Sequence, residues 1–203
     1  DKDSYLSGLF QYNLSLPLVK ENKNLLSIIK PKMALKISPN HTKDLSKSDG
    51  NRLDVNNIFS IDRLSSNNAV EGGVSLTLGN DFSIFDQKKS EEILFVKFAN
   101  NLRFEENDDL PRNNQLGAKT SNFFGEILYK PNDIINTKYN VSAKNNLTDI
   151  NYENFIAEIS INNFVTTFDY LNENSSVNRN SYLTSKSKLI FNDENSIQFS
   201  TRE

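Results

Sequence analysis

Residue types able to do chemistry are thinly spread along this chain. Its only histidine, His41, stands in the polar run SPNHTKDLSKSDG with Ser38 and Asp44 nearby. Nucleophilic catalysis needs a nucleophile, a base and an orienting acid that converge on a substrate. No Gly-x-Ser-x-Gly turn accompanies the histidine, so His41 reads as a solvated loop residue. Glu105, Glu106, Asp108 and Asp109 gather carboxylates of the kind that Ca²⁺ and Mg²⁺ accept as ligands. A charge run between strands is ordinarily a solvated tip, and it is read so here. Lys30, Lys32 and Lys36 fall on one face if their stretch is a strand. Three lysines do not define a phosphate site, and the expectation is a wet wall. No catalytic residue, metal site or cofactor is expected.

One stretch has more internal order. LDVNNIFSIDRLSSNNAVEGGVSLTLG, from Leu53 to Gly79, sets Asp54, Asn57 and Phe59 ahead of Arg63, then a polar hinge, then Glu71, Gly72 and Gly73 at the head of an alternating run. Arg63 and Glu71 have opposite charge and flank the hinge. The glycine pair permits a bulge or tight bend. The expected role is to shape one strand-to-strand crossover, with no reaction attached.

The elements that must carry these residues read as strands, because apolar residues recur at every second position. From Leu6 to Leu16 the even positions are Leu, Gly, Phe, Tyr, Leu and Leu, while Gln11 and Asn13 lie between them. A charged turn is expected at Lys20 to Asn24, followed by Ile29, Pro31, Met33, Leu35 and Ile37 in alternation with lysines. Val74, Leu76, Leu78, Phe82 and Ile84 share a face, as do Leu94, Val96, Phe98, Leu102 and Phe104. The clearest case is Ile135, Thr137, Tyr139, Val141 and Ala143, interleaved with Asn136, Lys138, Asn140, Ser142 and Lys144. Further strands are expected near Phe123 to Tyr129, Phe155 to Ile161, Phe164 to Leu171, Leu183 to Phe191 and Ile197 to Thr201. Asn-rich and Ser-rich breaks separate them, as turn dihedrals favour. The pattern predicts about ten strands of roughly 8 to 12 residues, close to the ~9–11 that a tilted membrane strand requires. Alternation alone leaves both a membrane barrel and a soluble β-sandwich open.

Composition narrows the function classes. The 203 residues fit one domain or part of a larger one. With 36% hydrophobic residues, a wall in which only alternate side chains are apolar is as feasible as a soluble core. A net charge of -3 argues against a nucleic-acid surface. The absence of cysteine removes disulfides and thiolate metal sites. No apolar run reaches the roughly 20 residues of a spanning helix, and no secretory leader opens the chain, so a fragment is expected.

The order from Asp54 to Gly73 resembles the C-terminal β-barrel of the LPS-assembly outer-membrane family LptD, also called Imp or OstA. That family carries a Leu-Asp-x-x-Asn-Leu-Phe box, an Arg before a Gly-containing turn, and a Glu-Gly-Gly start to the next strand. This chain keeps Asp54, Asn57, Phe59, Arg63, Glu71, Gly72 and Gly73, and has Ser66, Asn68 and Ala69 where the family usually has Gly, Asp and Arg. Upstream Pro17-Leu18-Val19 and Ile29 to Pro31, and downstream Asn101 to Phe104, Asp109-Leu110-Pro111, Leu116-Gly117 and Ser121 to Glu126, extend the likeness over most of the chain. The resemblance implies an all-β fold, an antiparallel meander of about ten strands forming an arc of a large transmembrane outer-membrane β-barrel. It implies that residues 1–203 are a partial barrel domain, without the N-terminal periplasmic domain and the remaining strands. The complete protein would insert lipopolysaccharide into the outer leaflet of a Gram-negative outer membrane. Its partners would be lipopolysaccharide, outer-membrane lipids, an LptE-like lipoprotein plug and periplasmic LPS bridge proteins, with no nucleic acid. Gln11, Asn13, Lys138, Asn140 and Ser142 would face the lumen, and acyl chains would leave by a lateral opening elsewhere in the barrel. The alternatives are another outer-membrane barrel, porin-like or an autotransporter translocator, and a soluble all-β binding module.

Overall fold

The computed structural model describes residues 8–39, 43–47, 52–64, 69–112, 114–174, 179–192 and 194–203. His41, Ser66 and Asn68 lie outside them. Strands are β1 (Phe10–Ser15), β2 (Leu18–Asn22), β3 (Leu25–Ser38), β4 (Gly73–Asp86), β5 (Glu91–Arg103), β6 (Phe123–Tyr129), β7 (Ile135–Ala143), β8 (Ile150–Ile161), β9 (Phe164–Asn174), β10 (Arg179–Ile190) and β11 (Ser196–Arg202). All pair antiparallel in one sheet of 11 strands, ordered β1-β3-β4-β5-β6-β7-β8-β9-β10-β11, with β2 also on β3. The sheet is a meander and does not close on itself. Its edges are β11 on one side and β1 with β2 on the other.

The alternating strands sort their side chains onto two faces. Register places Ile29, Phe82, Val96, Ile127, Tyr139, Phe155, Tyr170 and Leu183 side by side across eight strands. That row is apolar or aromatic throughout, and it stays uncovered: Phe155 is 42% exposed and Ile29 43%. The opposite face carries Lys32, Lys36, Ser75, Thr77, Asp81, Lys97, Asn101, Arg103, Glu126 and Asn154. An apolar face that nothing covers is the mark of a sheet whose apolar side meets lipid.

One expectation is corrected. Lys20 and Glu21 are not in a turn: Leu18–Asn22 is itself a strand, and the turn tightens to Lys23 and Asn24. β1 and β2 lie end to end along β3, β1 on Lys32 to Ile37 and β2 on Leu25 to Ile29. The break falls at Leu16 and Pro17, because proline has no N–H for the ladder. Leu16 still donates to the Pro31 carbonyl at 3.1 Å, so the seam is held at its upstream side. The first strand therefore occupies one position in two pieces.

Connections differ sharply between the two ends of the sheet. Segments 23–24, 87–90, 130–134, 162–163 and 191–195 are the links at one end, and 39–72, 104–122, 144–149 and 175–178 those at the other. Of the two two-residue links, Asn162–Asn163 has Asn162 at φ 52, the left-handed conformation that two-residue hairpins favour and asparagine tolerates.

Candidate functional site

Segment 52–64 folds back over the polar face of the sheet instead of standing clear of it. Its turn is built locally. The Asp54 carboxylate accepts the backbone N–H of Asn56 at 2.7 Å and of Asn57 at 3.1 Å, and the Asn57 side-chain oxygen accepts the Asp54 N–H at 2.9 Å. Asn57 also donates to the Arg52 carbonyl at 2.9 Å. This reciprocal capping works as at a helix N-terminus and explains the Asp-x-x-Asn spacing. The turn aims Leu53, Val55 and Ile58 at the wall, where they form a buried cluster with Leu64, Ala99, Leu110, Leu116 and Phe124. Ala99 and Phe124 come from β5 and β6, and Leu110 and Leu116 from the connection 104–122. That second connection closes over the first, with the Leu45 N–H bonded to the Asp109 carbonyl at 2.7 Å. The only sizeable apolar cluster among the described residues thus lies between two connections and the polar face.

Phe59 is seated by an absence. A Cβ on Gly79 would stand 2.8 Å from its ring and 2.7 Å from the Phe98 carbonyl, so only glycine leaves the notch it occupies. Lys32 lies over the same ring, 4.7 Å from its centroid.

A buried charge cluster fixes the far end of the segment. Arg63 Nε and Nη2 each donate to the Glu71 carboxylate at 2.6 Å, and Arg103 Nη1 donates to it at 2.8 Å. Lys36 Nζ lies 3.3 Å from the same carboxylate. The remaining Arg63 donors reach the Ile58 carbonyl, Thr77 Oγ1, Ser75 Oγ and Asn101 Oδ1 at 2.9 to 3.2 Å. Arg63 is 0% exposed and Glu71 3% at their side chains. Three cations therefore share one carboxylate, and backbone carbonyls take up their spare donors, including those of Ser60 and Ile61 for Lys36. Burial by itself would raise the Glu71 carboxyl. The Arg63 charge and hydrogen bonds, then Lys36 and Arg103, outweigh it and hold the carboxyl at about 2 against an ordinary 4.5. Gly73 opens β4 at φ 88, and a Cβ there would meet Arg103 Nη2 at 2.8 Å. Arg103 Nη2 also donates to the Gly72 carbonyl. Gly73 is needed so that the strand can begin against that guanidinium.

All seven residues of the ordered stretch thus belong to one assembly. Asp54 and Asn57 form its turn, Phe59 sits in its notch, and Arg63, Glu71, Gly72 and Gly73 make its anchor. It is more than a crossover between strands, because it reaches from β1 to β8. Gln11 Nε2 donates to the Phe59 carbonyl at 2.7 Å, and Arg52 lies 4.0 Å over the Tyr152 ring. Gln11 and Asn13 stand on the polar face, on one flank of the segment. Lys138, Asn140 and Ser142 stand on the other, around a pocket of about 90 Å³ shared with Arg52, Asp54 and Glu126. Lys138 pairs with Glu126 at 3.2 Å, and Ser142 accepts from Asn122 at 3.1 Å.

The lysine stripe departs from the wet-wall expectation. Lys36 is buried in the charge cluster, and Lys32 pairs with Asp81 at 2.8 Å. Their carboxylate partners lie far along the chain, so local spacing gave no sign of them. Glu105, Glu106, Asp108 and Asp109 do not converge, and no group of carboxylates among the described residues is placed to hold a metal ion. The partners that sequence reasoning missed are Arg103, Lys36, Asn101 and the hydrophobic pair Leu110 and Leu116. Arg103 and Lys36, charges on the polar face near strand ends, carried a signal, though not of what they pair with.

Comparison with curated proteins finds no match. Comparison with protein families matches residues 2–202 to LptD, LPS transport system D. An antiparallel meander with one uncovered apolar face, and a match along nearly its whole length, place the chain in the LptD family, outer-membrane β-barrel proteins of Gram-negative bacteria that take part in lipopolysaccharide transport and assembly.

Proposed function

We propose that this sheet is an arc of the wall of an outer-membrane translocon that inserts lipopolysaccharide into the outer leaflet. The observation that carries the reading is the division between its faces. The row from Ile29 to Leu183 suits hydrocarbon, and the polar face opposite suits a wet lumen. An open sheet edge in hydrocarbon leaves backbone groups unpaired at several kcal/mol each. Other strands of the protein therefore complete the barrel along β11 and along β1 with β2. A periplasmic domain outside residues 1–203 receives the lipid from bridge proteins, and an LptE-like lipoprotein occupies the lumen. Gln11, Asn13, Lys138, Asn140 and Ser142 offer amide, ammonium and hydroxyl groups to passing sugar and phosphate. The process is transport: no bond in the lipid is made or broken.

Segment 52–64 extends this reading. Docked on the polar face, it narrows the lumen along this arc and gives the wall a core of its own.

Photocrosslinking tests the proposal, with the probe at Asn140 or at neighbouring Tyr139 in the full-length protein in cells. Adjacent strand residues face opposite sides. Adducts with lipopolysaccharide or the lipoprotein at Asn140, and bulk lipid at Tyr139, are expected. Bulk lipid at neither position would overturn the membrane wall. Bulk lipid at Tyr139 with nothing at Asn140 would favour a porin-like barrel.

A further inference from the structure

Between β1, β3, β4 and the docked segment lies a cavity of about 350 Å³ lined by Asn13, Lys30, Lys32, Asn56, Phe59, Asp81 and Lys97 among others. Its charge is unbalanced. Lys32 is taken by Asp81 at 2.8 Å, and Lys97 and Lys138 share Glu126 at 3.5 and 3.2 Å. Lys30 has no ion pair or hydrogen bond within the described structure, and its cross-strand neighbour Asp81 is already engaged. Among the residues lining the cavity, three lysines thus face one carboxylate, Asp81, and the lysine left without an ion pair is the half-buried Lys30.

The uncharged lining has a chemistry of its own. The Asn13 amide oxygen accepts from Gln11 at 2.9 Å and leaves its NH₂ free to donate. The Asn56 oxygen accepts from Lys97 at 2.8 Å, so its NH₂ too remains a donor. Phe59 supplies an aromatic surface, held in place by the Gly79 notch. Free amide donors suit sugar hydroxyls, and an unneutralised ammonium in a partly desolvated pocket suits a phosphate.

We propose that this cavity is a binding subsite for a phosphorylated sugar, with Lys30 as the principal phosphate ligand and Asn13 and Asn56 as hydroxyl ligands. Because the docked segment supplies Asn56 and Phe59, the subsite exists only while the segment is seated. The inference rests on the reading that the polar face lines the lipopolysaccharide path, and within that path it selects the phosphorylated part of the saccharide.

The test uses the full-length protein in nanodiscs, with a photoreactive residue at Ser15, which lines the cavity from the polar face. Adducts are compared for intact lipopolysaccharide, lipopolysaccharide stripped of phosphate, and intact lipopolysaccharide competed by glucosamine 1-phosphate, glucosamine or inorganic phosphate. Loss of one charge-assisted hydrogen bond predicts about a tenfold fall in yield for the stripped lipid and for Lys30→Gln. Competition by glucosamine 1-phosphate well below the concentration at which either component alone competes is the expected result. Equal competition by inorganic phosphate would overturn the sugar assignment. Equal yields with stripped and intact lipid, or no effect of Lys30→Gln, would overturn the subsite altogether. The Asn140 and Tyr139 adducts are read in the same preparations. If they persist while the Ser15 result is negative, the subsite fails and the translocon reading stands. If they vanish, the translocon reading fails first.

Discussion

Glu71 is the residue on which the docked segment depends. It is a single carboxylate among three cations, all largely removed from water. Breaking a buried ion pair from one side leaves a charge uncompensated, at a cost of about 3–5 kcal/mol. Glu71→Gln is therefore expected to release segment 52–64. Hydrogen exchange would register this as lost protection at Ile58 and Ser60, with the β7 to β10 ladder unchanged. The depressed carboxyl adds a pH dependence with a definite sign. A fall from 4.5 to about 2 on folding corresponds to about 3 kcal/mol of stability, fully present above pH 4.5 and lost as pH drops towards 2. Melting followed in detergent between pH 7 and pH 2 should show that loss in the native protein, and Glu71→Gln should flatten this part of the profile. Gly73→Ala attacks the same anchor through the backbone, combining φ 88 with a Cβ 2.8 Å from Arg103. A destabilisation of at least about 1–3 kcal/mol is expected from strain of that kind. A melting temperature equal to the native one would mean that β4 can begin differently.

At the scale of elements, the strands were legible because their signal is local. Alternation from Ile135 to Ala143 needs no knowledge of the rest of the chain, and it appears as β7 with the expected faces. The short strand Leu18–Asn22 was hidden because Lys20 and Glu21 look like a turn when their partners Ser27 and Leu26 are out of view. The docked segment was hidden for a deeper reason. Its residues follow no period, and its partners Ala99, Arg103, Leu110 and Leu116 come from β5 and from another connection. The order Asp54 to Gly73 marked the place but could not reveal what it packs against. Ile58 tests that packing directly, since it is 1% exposed between the two connections. Ile58→Ala should cost about 2–5 kcal/mol locally, raising exchange in both 53–64 and 106–118 while the ladder of β8 to β10 stays protected. A loss confined to 53–64 alone would show that the second connection does not depend on the first.

On the scale of the whole molecule, the difference between the two ends of the sheet orients it. Outer-membrane barrels keep short turns on the periplasmic side and longer connections outside the cell. By that rule 39–72 and 104–122 lie at the cell surface, and Asn162–Asn163 and 87–90 in the periplasm. The outward face agrees. Glu153, bonded to Tyr139 at 3.2 Å and Asn172 at 3.0 Å, stands one row from the apolar band towards the long connections. A carboxylate on the lipid face costs less near an interface than at the midplane. Because residues 1–203 contain no cysteine, single cysteines at Asn146 and Lys88, at opposite ends of the sheet, can report the orientation in a background cleared of any others. A membrane-impermeant maleimide should label Asn146→Cys in intact cells, and Lys88→Cys only after the outer membrane is permeabilised. The reverse pattern would put the docked segment at the periplasmic mouth, where it would meet arriving lipid first. With the expected pattern it narrows the lumen from the outside. Lipid rising from the periplasm would then pass the Lys30 cavity before it meets the Glu71 anchor, because β3 runs from Lys30 towards Lys36 and the surface.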